Sequence, residues 1–456
     1  MAAMERAGGL WFGWSGDLAR QPSPPRLDRW RSIEYATVDL DPRDHQAYYA
    51  GFANSVLWPV FHHRPDLMVY RAADFAGYLD VNRQFARQLL PLLRPDDTLW
   101  IHDYHLIPLA RLLREAGVAS PIGFFLHTPF PPLDLLRTIP NYQGLLADLF
   151  ACDLIGFQTR IDLRGFEEAV IHGLGGRVEE GGLVRLGERA ARTGIYPIGI
   201  ETDALPRFAE QGSLSREYCA LAESLGGRRL ILGVDRLDYS KGLPERLRAY
   251  ELLLERYPEV RRQVVYLQIA PVSRAELKAY SELAARIDAA AGHVIGTWAD
   301  FDWVPLRHLK RGYRRSTVVA MYRLAKVGLV TPLRDGMNLV AKEYVAAQDP
   351  DDPGVLVLSK MAGAALELDA ALLVNPYDPE GVAEALRGAL TMPLEERRDR
   401  WRRMMQILAA NDIHRWHQRF LADLTEAHAA LRGLKAASGR RGRGAAAGRS
   451  DRAGGA

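Results

Sequence analysis

"RLILGVDRLDYSKGLPERLRAYELLLERYP" (residues 229–258) places a strand pattern, a charged loop and a helix pattern in succession. The apolar run at its start predicts a buried strand, and the apolar residues after Leu243 recur at helical spacing. Arg236 and Lys241 lie between the two patterns. Charges at the carboxyl end of a strand occupy the edge at which open α/β sheets bind ligands. Because both residues are cations, the stretch indicates a site for an anion such as a phosphate.

Short apolar runs alternate with longer amphipathic segments along most of the chain. The runs predict strands at 98–102, 122–127, 153–159, 229–235, 264–270, 327–333, 354–359 and 371–376. Among the segments between them, 107–117 and 243–258 are predicted helices. Strands that alternate with helices form βαβ units, so the fold class is α/β with parallel sheets.

Length and composition indicate a soluble globular protein. The chain has 456 residues, of which 48% are hydrophobic and 25% charged, and two domains of about 200 residues are expected at this length. No apolar run approaches the roughly 18 to 20 residues of a membrane span. The N-terminus shows no secretory pattern, and the isolated Cys152 and Cys219 are typical of reduced thiols. We therefore expect a cytoplasmic protein with no membrane partner.

The positive charge of the chain is concentrated at its C-terminus. Residues 432–456 contain seven Lys or Arg and one Asp, a charge of +6, which leaves −3 for the rest of a chain with a net charge of +3. The basic pI therefore does not predict a nucleic-acid partner. Because this segment is rich in Gly, Ala and Arg, we expect residues 433–456 to be a disordered basic tail.

Proline and glycine interrupt the pattern at 196–206 and predict a domain boundary there. We predict a first Rossmann-like domain at 1–202, a second at 203–405, a crossover helix at 406–432 and the tail at 433–456. Two such domains facing each other would place the strand ends around a cleft, where we expect the site.

A second charged loop supports the anion site. "TPLRDGMNLVAKEYVAAQ" (331–348) follows a predicted strand, and Asn338 is a suitable N-cap for a helix that begins near Leu339. The first amides of that helix would supply partial positive charge to a phosphate. These amides belong to Leu339, Val340 and Ala341. Glu343 follows one turn later and could accept hydrogen bonds from a ribose diol, so the pattern predicts a nucleotide-diphosphate site.

Longer motifs extend over nearly the whole chain. They are "GGLWFGWSG" (8–16), "NSVLWPVFH" (54–62), "WIHDYHLIPLA" (100–110), "GFFLHTPFP" (123–131), "LIGFQT" (154–159), "YPIGIE" (196–201) and "QIAPVSR" (268–274). With the two charged loops, the chain closely resembles the trehalose-6-phosphate synthases of glycosyltransferase family 20. The resemblance implies a GT-B fold and a retaining glucosyltransferase that makes α,α-trehalose 6-phosphate and UDP from UDP-glucose and glucose 6-phosphate.

The resemblance also implies donor-binding residues. Arg236 and Lys241 would hold the diphosphate, and Glu343 would bind the ribose. The uracil would lie against main chain near Ile269 and Tyr313, where the family usually has Phe. The full implied donor set is Arg236, Lys241, Ile269, Tyr313, Leu339, Val340, Ala341, Lys342 and Glu343.

For the acceptor, glucose 6-phosphate, the resemblance implies a pocket in which Arg274 takes the phosphate. Its members are Trp14, Tyr49, Trp58, Asp103 and Arg274. The implied catalytic groups, of which Asp335 and His127 face the transferred glucose, are Arg236, Lys241, Asp335, His127 and Asp103. Without the family, Trp14 and Trp58 would be interpreted as core residues and His127 as a packed strand-end residue.

We expect neither a metal nor a cofactor. His102 and His105 straddle a strand end, have no third ligand nearby in sequence and fit no usual zinc spacing. The cations and the helix start would already neutralise the leaving diphosphate. A homo-oligomer is compatible with the sequence.

One departure from the family concerns the N-terminus. Members normally have a strand ending in "SNR" and a glycine loop before the motif that begins here at Gly8. The comparison therefore implies that the first strand of the N-terminal sheet is missing. Two alternatives stay open: transfer to another phosphorylated acceptor such as glycerol 3-phosphate, and a truncated sugar-phosphate-binding protein without turnover.

Overall fold

The computed structural model describes residues 2–20, 24–274 and 277–450, with side chains from residue 4 to residue 434 of these ranges. Its contacts divide the chain into two units. The N-terminal unit contains residues 8–60, 70–196 and 417 onward, and the C-terminal unit contains residues 1–7, 61–69 and 197–416. The main division thus falls at Tyr196 and Pro197, a few residues before the predicted boundary at 202.

A parallel sheet forms the core of the C-terminal unit. Its strands lie in the order Leu306–Leu309, Val264–Ile269, Arg229–Val234, Val327–Val330, Val355–Ser359 and Leu372–Val374. The residues of Val264–Ile269, Val327–Val330 and Val355–Ser359 are all buried. Buried parallel strands have near-continuous apolar sequences, which is why the five strands predicted in this region are confirmed.

Helices accompany these strands. In the C-terminal unit they are Ala2–Ala7, Leu205–Ser213, Arg216–Leu225, Leu243–Arg256, Lys278–Trp298, Arg315–Leu324, Leu339–Ala347, Pro379–Thr391 and Leu394–Ala410. Short 3-10 turns occur at Pro65–Leu67, Thr202–Ala204, Tyr239–Lys241, Pro258–Val260 and Gly363–Leu366.

The N-terminal unit contains a second, mixed sheet. Its order is Leu99–His102, Ile122–Phe125, Leu154–Phe157, Arg189–Ile195, Leu183–Leu186 and Arg177–Glu179. The strands from Leu99–His102 to Arg189–Ile195 pair in parallel, and the remaining pairs are antiparallel. The predictions at 98–102, 122–127 and 153–159 are confirmed.

A smaller sheet precedes it in the chain. Gly9–Leu18 pairs in parallel with Ile33–Leu40, which pairs antiparallel with Arg26–Trp30. Residues on one face of the middle strand are buried, whereas every residue of Arg26–Trp30 is exposed. The sequence analysis did not predict these strands: only residues 10–14 form an apolar run, and Arg26–Trp30 and Ile33–Leu40 are interrupted by polar and charged residues.

The N-terminal unit has helices of several kinds. Those of α type are Pro42–His45, Trp58–Phe61, Ala72–Leu89, Leu109–Glu115, Leu133–Leu136, Tyr142–Leu149, Arg160–Glu168 and Ile413–Ser450, of which Trp58–Phe61 and Ile413–Ser450 extend past the unit's bounds. The π helices are Gln46–Leu57 and Ala169–Gly173, and 3-10 turns occur at Leu90–Leu92, Tyr104–Leu106 and Glu180–Gly182. Since π segments are rare and often mark functional sites, the segment Gln46–Leu57 is a candidate part of such a site.

The final helix, Ile413–Ser450, packs on the larger N-terminal sheet from His417 onward. The ring of Phe420 is fully buried and stacks on Trp100 with centroids 4.2 Å apart and planes at 8°. Gly123 on the sheet makes room for it, because an added Cβ there would lie 2.7 Å from Phe420 Cε1.

The C-terminal boundaries differ from the prediction. The predicted crossover helix at 406–432 is divided, because Leu394–Ala410 ends before Asn411 and the final helix begins at Ile413. The backbone then stays helical to Ser450, although a disordered tail was expected from residue 433. Residues 451–456 lie outside the described residues. Among the residues that the structure describes, no helix is long and apolar enough to cross a membrane.

Candidate active site

The predicted donor residues lie on loops at the carboxyl edge of the C-terminal sheet. Arg236 follows the strand Arg229–Val234, Tyr313 follows Leu306–Leu309, and residues 331–338 follow Val327–Val330. The three strands belong to one parallel sheet, so their carboxyl ends lie at the same edge. The structure therefore brings together the two charged loops that the sequence analysis singled out.

Lys241 and Asp335 form the central ion pair of this edge. Lys241 Nζ lies 2.5 Å from Asp335 Oδ2, and the side chains are 12% and 15% exposed. Asn338 Nδ2 donates to the same oxygen over 2.9 Å. Gly242 turns the chain with φ +64°, and a Cβ there would lie 2.6 Å from the Thr331 carbonyl oxygen. A glycine is therefore required for the two loops to approach each other.

Arg246 connects the two charged loops from the interior of the C-terminal unit. Its side chain has no exposed area and donates to Asp235 (2.6 Å) and Gln268 (3.0 Å). It also donates to Thr331 Oγ1 over 3.0 Å and to the carbonyl of Lys241 over 3.2 Å. This residue was missed by the sequence analysis. The available signal was a cation on the apolar face of the helix Leu243–Arg256.

Arg274 belongs to the C-terminal unit, whereas the other predicted acceptor residues belong to the N-terminal unit. Its guanidinium donates to the Tyr280 hydroxyl over 2.7 Å, and that hydroxyl donates to Asp238 Oδ2 over 2.9 Å. Arg274 also lies 3.6 Å from the same carboxylate oxygen. Its φ of 53° is in the left-handed region, a strained conformation for Arg that is often found at binding sites.

The charges described at this edge are balanced in pairs. Asp335, Asp235 and Asp238 face Lys241, Arg246 and Arg274 respectively. Burial opposes the charge of Lys241, but the nearby carboxylates outweigh it and raise its pKa. Burial likewise opposes ionisation of Asp335, but Lys241 lowers its pKa. The pair is therefore ionised at neutral pH, and the exposed Arg236 adds further positive charge.

The helix Leu339–Ala347 begins where the sequence predicts. Asn338 is its N-cap, with φ 80°, and its Oδ1 accepts from the Ala341 amide over 3.1 Å. The first N–H groups of a helix have no acceptor within the helix, so those of Leu339 and Val340 are suited to an anion. Lys342 has no exposed side-chain area, and its Nζ binds Glu367 Oε2 (2.6 Å) and the Ile198 carbonyl (2.8 Å). The side chain of Lys342 therefore makes its bonds inside the C-terminal unit and is not exposed to bind a donor.

Two of the residues predicted to bind the donor substrate, Ile269 and Tyr313, were expected to contact the uracil through their main chain. The carbonyl of Ile269 accepts from the Asp235 amide over 3.0 Å and from Gln268 Nε2 over 3.1 Å. Both lone pairs of that oxygen are used, so it has none to offer to a base. The Tyr313 hydroxyl accepts from Arg311 Nε over 2.8 Å, which leaves the main chain at 313 for the predicted role.

In the N-terminal unit, predicted residues also follow parallel strands. His127 follows Ile122–Phe125, and its Nε2 lies 3.0 Å from Nδ1 of His102. Burial lowers the pKa of His127. Burial, together with the neighbouring His127, lowers the pKa of His102 to about 3. Both rings are neutral at pH 7, and one donates to the other. Asp103, with φ 72°, accepts from the His127 amide over 3.2 Å.

Tyr49 lies on the π helix Gln46–Leu57 among aromatic rings. Its ring stacks on His105 (5.6 Å, 13°) and on His45 (5.2 Å, 24°), and it lies 5.4 Å from Trp14. Trp58 begins the next helical segment, is 6% exposed and lies 5.9 Å from Tyr104. The structure thus brings Trp14 and Tyr49 together. His45 and His105 were missed as neighbours, because only the fold joins these segments.

The chain is similar to known proteins in sequence and in fold. Residues 2–426 match the model of glycosyltransferase family 20. A trehalose-6-phosphate synthase from Sinorhizobium fredii is 50% identical over 428 residues, which cover 93% of this chain and 92% of the relative. An alpha,alpha-trehalose-phosphate synthase (UDP-forming) from Burkholderia xenovorans, solved with glucose-6-phosphate, has a TM-score of 0.91 at 47% identity, covering 93% of this chain and 94% of that one.

A further solved structure, from E. coli and bound with UDP-2-fluoro glucose, has a TM-score of 0.90 at 46% identity and covers 92% of this chain and 94% of that one. These likenesses confirm the predicted α/β fold of GT-B type with two Rossmann-like units. The missing first strand rests on the sequence alone and stays a prediction. By the extent of the match, the chain belongs to glycosyltransferase family 20.

Proposed function

We propose that this chain transfers glucose from UDP-glucose to glucose 6-phosphate and so forms α,α-trehalose 6-phosphate and UDP. The observation that carries the proposal is the ion pair of Lys241 and Asp335 beside the start of the helix Leu339–Ala347. It lies in a chain that is 46% to 50% identical to trehalose-6-phosphate synthases.

The donor diphosphate would lie against Arg236, Lys241 and the amides of Leu339 and Val340. As the bond to glucose breaks, negative charge develops on the departing UDP. Cations and amides that are already fixed in place stabilise this charge without reorganisation. Arg246 contributes indirectly, because it holds the carbonyl of Lys241 and the neighbouring strand ends.

The transferred glucose would be oriented by Asp335 and His127. The bonds described for Asp335 both fall on Oδ2, so we assign Oδ1 as the acceptor from a sugar hydroxyl. His127 is neutral, its ring is oriented by His102, and its main-chain amide donates to the Asp103 side chain. A neutral imidazole can exchange hydrogen bonds with hydroxyls without adding charge.

For the acceptor, Tyr49, Trp58, Trp14 and Asp103 would bind the sugar phosphate in the N-terminal unit. Arg274, from the C-terminal unit, would take the phosphate. A dianion competes well with the 3.6 Å contact to Asp238, because charge-assisted bidentate bonds to phosphate are among the strongest that Arg makes.

The step itself balances without a protein nucleophile. The anomeric oxygen of glucose 6-phosphate bonds to C1 of the donor glucose on the face from which the UDP oxygen departs. The bond from C1 to that oxygen breaks, and the leaving diphosphate receives the acceptor's proton. Attack on the same face retains the configuration.

The test is coupled detection of UDP release from UDP-glucose, with glucose 6-phosphate, with glycerol 3-phosphate and with no acceptor. We expect release that depends on glucose 6-phosphate, with trehalose 6-phosphate identified by mass. Faster release with glycerol 3-phosphate would assign a different acceptor. Binding of glucose 6-phosphate by calorimetry without any UDP release would instead indicate a non-catalytic sugar-phosphate protein.

A further inference from the structure

Glu343, the proposed ribose ligand, has a cationic neighbour that the sequence analysis did not connect to it. Arg315 Nη2 donates to Glu343 Oε1 over 3.1 Å. The side chains of Arg315 and Glu343 are 48% and 20% exposed, so the pair lies at the surface of the C-terminal unit.

Arg315 is held from the other side as well. Its guanidinium lies over the ring of Phe208, 5.1 Å from the centroid, and its Nη1 is 3.8 Å from Glu201 Oε2. The helix Leu205–Ser213, which carries Phe208, approaches the start of the helix Arg315–Leu324 very closely. A Cβ on Gly212 would lie only 1.9 Å from the Ser316 carbonyl oxygen. The backbone at Arg315 is therefore positioned by helix packing, and its side chain is positioned by the Phe208 ring and the two carboxylates.

The pair affects the pKa of the Glu343 carboxyl. Burial raises its pKa, and Arg315 opposes that rise. Without Arg315 the carboxyl would shift toward the neutral acid, which has one fewer acceptor site. Since the described contact uses Oε1, Oε2 is the oxygen that would accept from a sugar diol.

We propose that Arg315 is a positioning residue for recognition of the nucleotide sugar: by holding Oε1 of Glu343, it fixes an oriented acceptor for the 2′ and 3′ hydroxyls of ribose. The inference rests on the proposed function, and it makes the donor a ribonucleotide sugar in preference to a deoxyribonucleotide sugar.

The test is calorimetric binding of UDP and of 2′,3′-dideoxyuridine diphosphate, which lacks both hydroxyls. The wild type should bind UDP at least about tenfold more tightly than the dideoxy nucleotide, as expected for a hydrogen bond to a charged group. Arg315→Gln should weaken UDP binding about five- to tenfold and change dideoxy binding less than about twofold. Arg315→Lys should restore part of the difference, because Lys pairs with a carboxylate through one nitrogen only.

Arg387→Gln is the matched control. It removes an ion pair to Glu259 with a similarly exposed side chain (50%) in the same unit, and we expect no change in either affinity. Since exposed pairs contribute little stability, thermal melting should show all variants folded.

Equal weakening of both nucleotides by Arg315→Gln, or weakening of neither, would overturn the inference. So would a wild type that binds neither nucleotide. The UDP-release assay on the same proteins separates the two proposals. Absent turnover with intact discrimination between the nucleotides would refute the proposed transfer and leave the role of Arg315 standing.

Discussion

Replacing Phe420 with Ala tests whether the final helix is part of the core of the N-terminal unit. The ring is fully buried, stacks on Trp100 at 4.2 Å and lies edge-on to Phe125 at 6.1 Å. Phe to Ala changes in such sites cost about 3 to 5 kcal/mol in the free energy of unfolding. We expect Phe420→Ala to fall in that range.

Gly123 supplies a second, coupled perturbation. In the wild type, a Cβ at this position would lie 2.7 Å from Phe420 Cε1 and 3.0 Å from Leu424 Cδ2, so Gly123→Ala should cost about 1 to 3 kcal/mol by overpacking. Once Phe420 is Ala, the closer of these contacts is gone and the new methyl occupies part of the cavity. The double variant should therefore be more stable than the sum of the single changes by at least about 1 kcal/mol.

The assay is urea denaturation followed by tryptophan fluorescence and by far-UV circular dichroism, whose coincidence supports two-state analysis. Gly144→Ala is the control, because a Cβ at Gly144 meets no described heavy atom within 4 Å in the helix Tyr142–Leu149. It should add independently to Phe420→Ala, to within about 0.5 kcal/mol. Equal additivity for Gly123→Ala would refute the packing described between the final helix and the sheet.

Three further predictions concern the charged edge of the C-terminal unit. Lys241→Met should lower kcat/KM for UDP-glucose at least about 100-fold in the UDP-release assay, since it removes a charge that stabilises the leaving group. The stability lost in this variant should depend on pH, because the folded-state pKa of Asp335 is lowered and that of Lys241 is raised. The difference in unfolding free energy between wild type and variant should be largest between about pH 5 and pH 10 and should shrink at lower and at higher pH. Urea midpoints measured at pH 3, 7 and 11 would show this. Arg246→Met should cost about 3 to 5 kcal/mol because it leaves the buried Asp235 unpaired, and adding Asp235→Asn should recover part of that loss in the same denaturation assay.

Sequence patterns predicted those features that depend on neighbours along the chain. The buried parallel strands were found because each is a continuous apolar run, and the cap at Asn338 was found because a cap is local. The strands Gly9–Leu18 and Arg26–Trp30 were not found, since their residues are largely exposed or only partly buried. In such strands tertiary pairing, more than local preference, decides the structure.

Contacts between segments that are far apart in the chain were the second kind of feature that the sequence did not predict. Arg246 could be identified as an unusual cation, but its partners Asp235, Gln268 and Thr331 lie at the ends of three strands that only the sheet order brings together. The same holds for Arg315 and Glu343, whose separation of 28 residues spans a helix and a strand. Family resemblance named Glu343 but gave no reason to examine Arg315.

The return of the final helix to the N-terminal unit has a consequence for synthesis of the protein. Residues up to Tyr196 leave the ribosome first, but the helix around Phe420 follows only after the C-terminal unit has been made. At typical elongation rates of 5 to 20 residues per second, the interval is roughly 10 to 50 s. During that time the apolar surface beside Trp100 and Gly123 stays uncovered on the nascent chain. The half of the protein that is translated first therefore presents this apolar surface to holding chaperones until the final helix has been made.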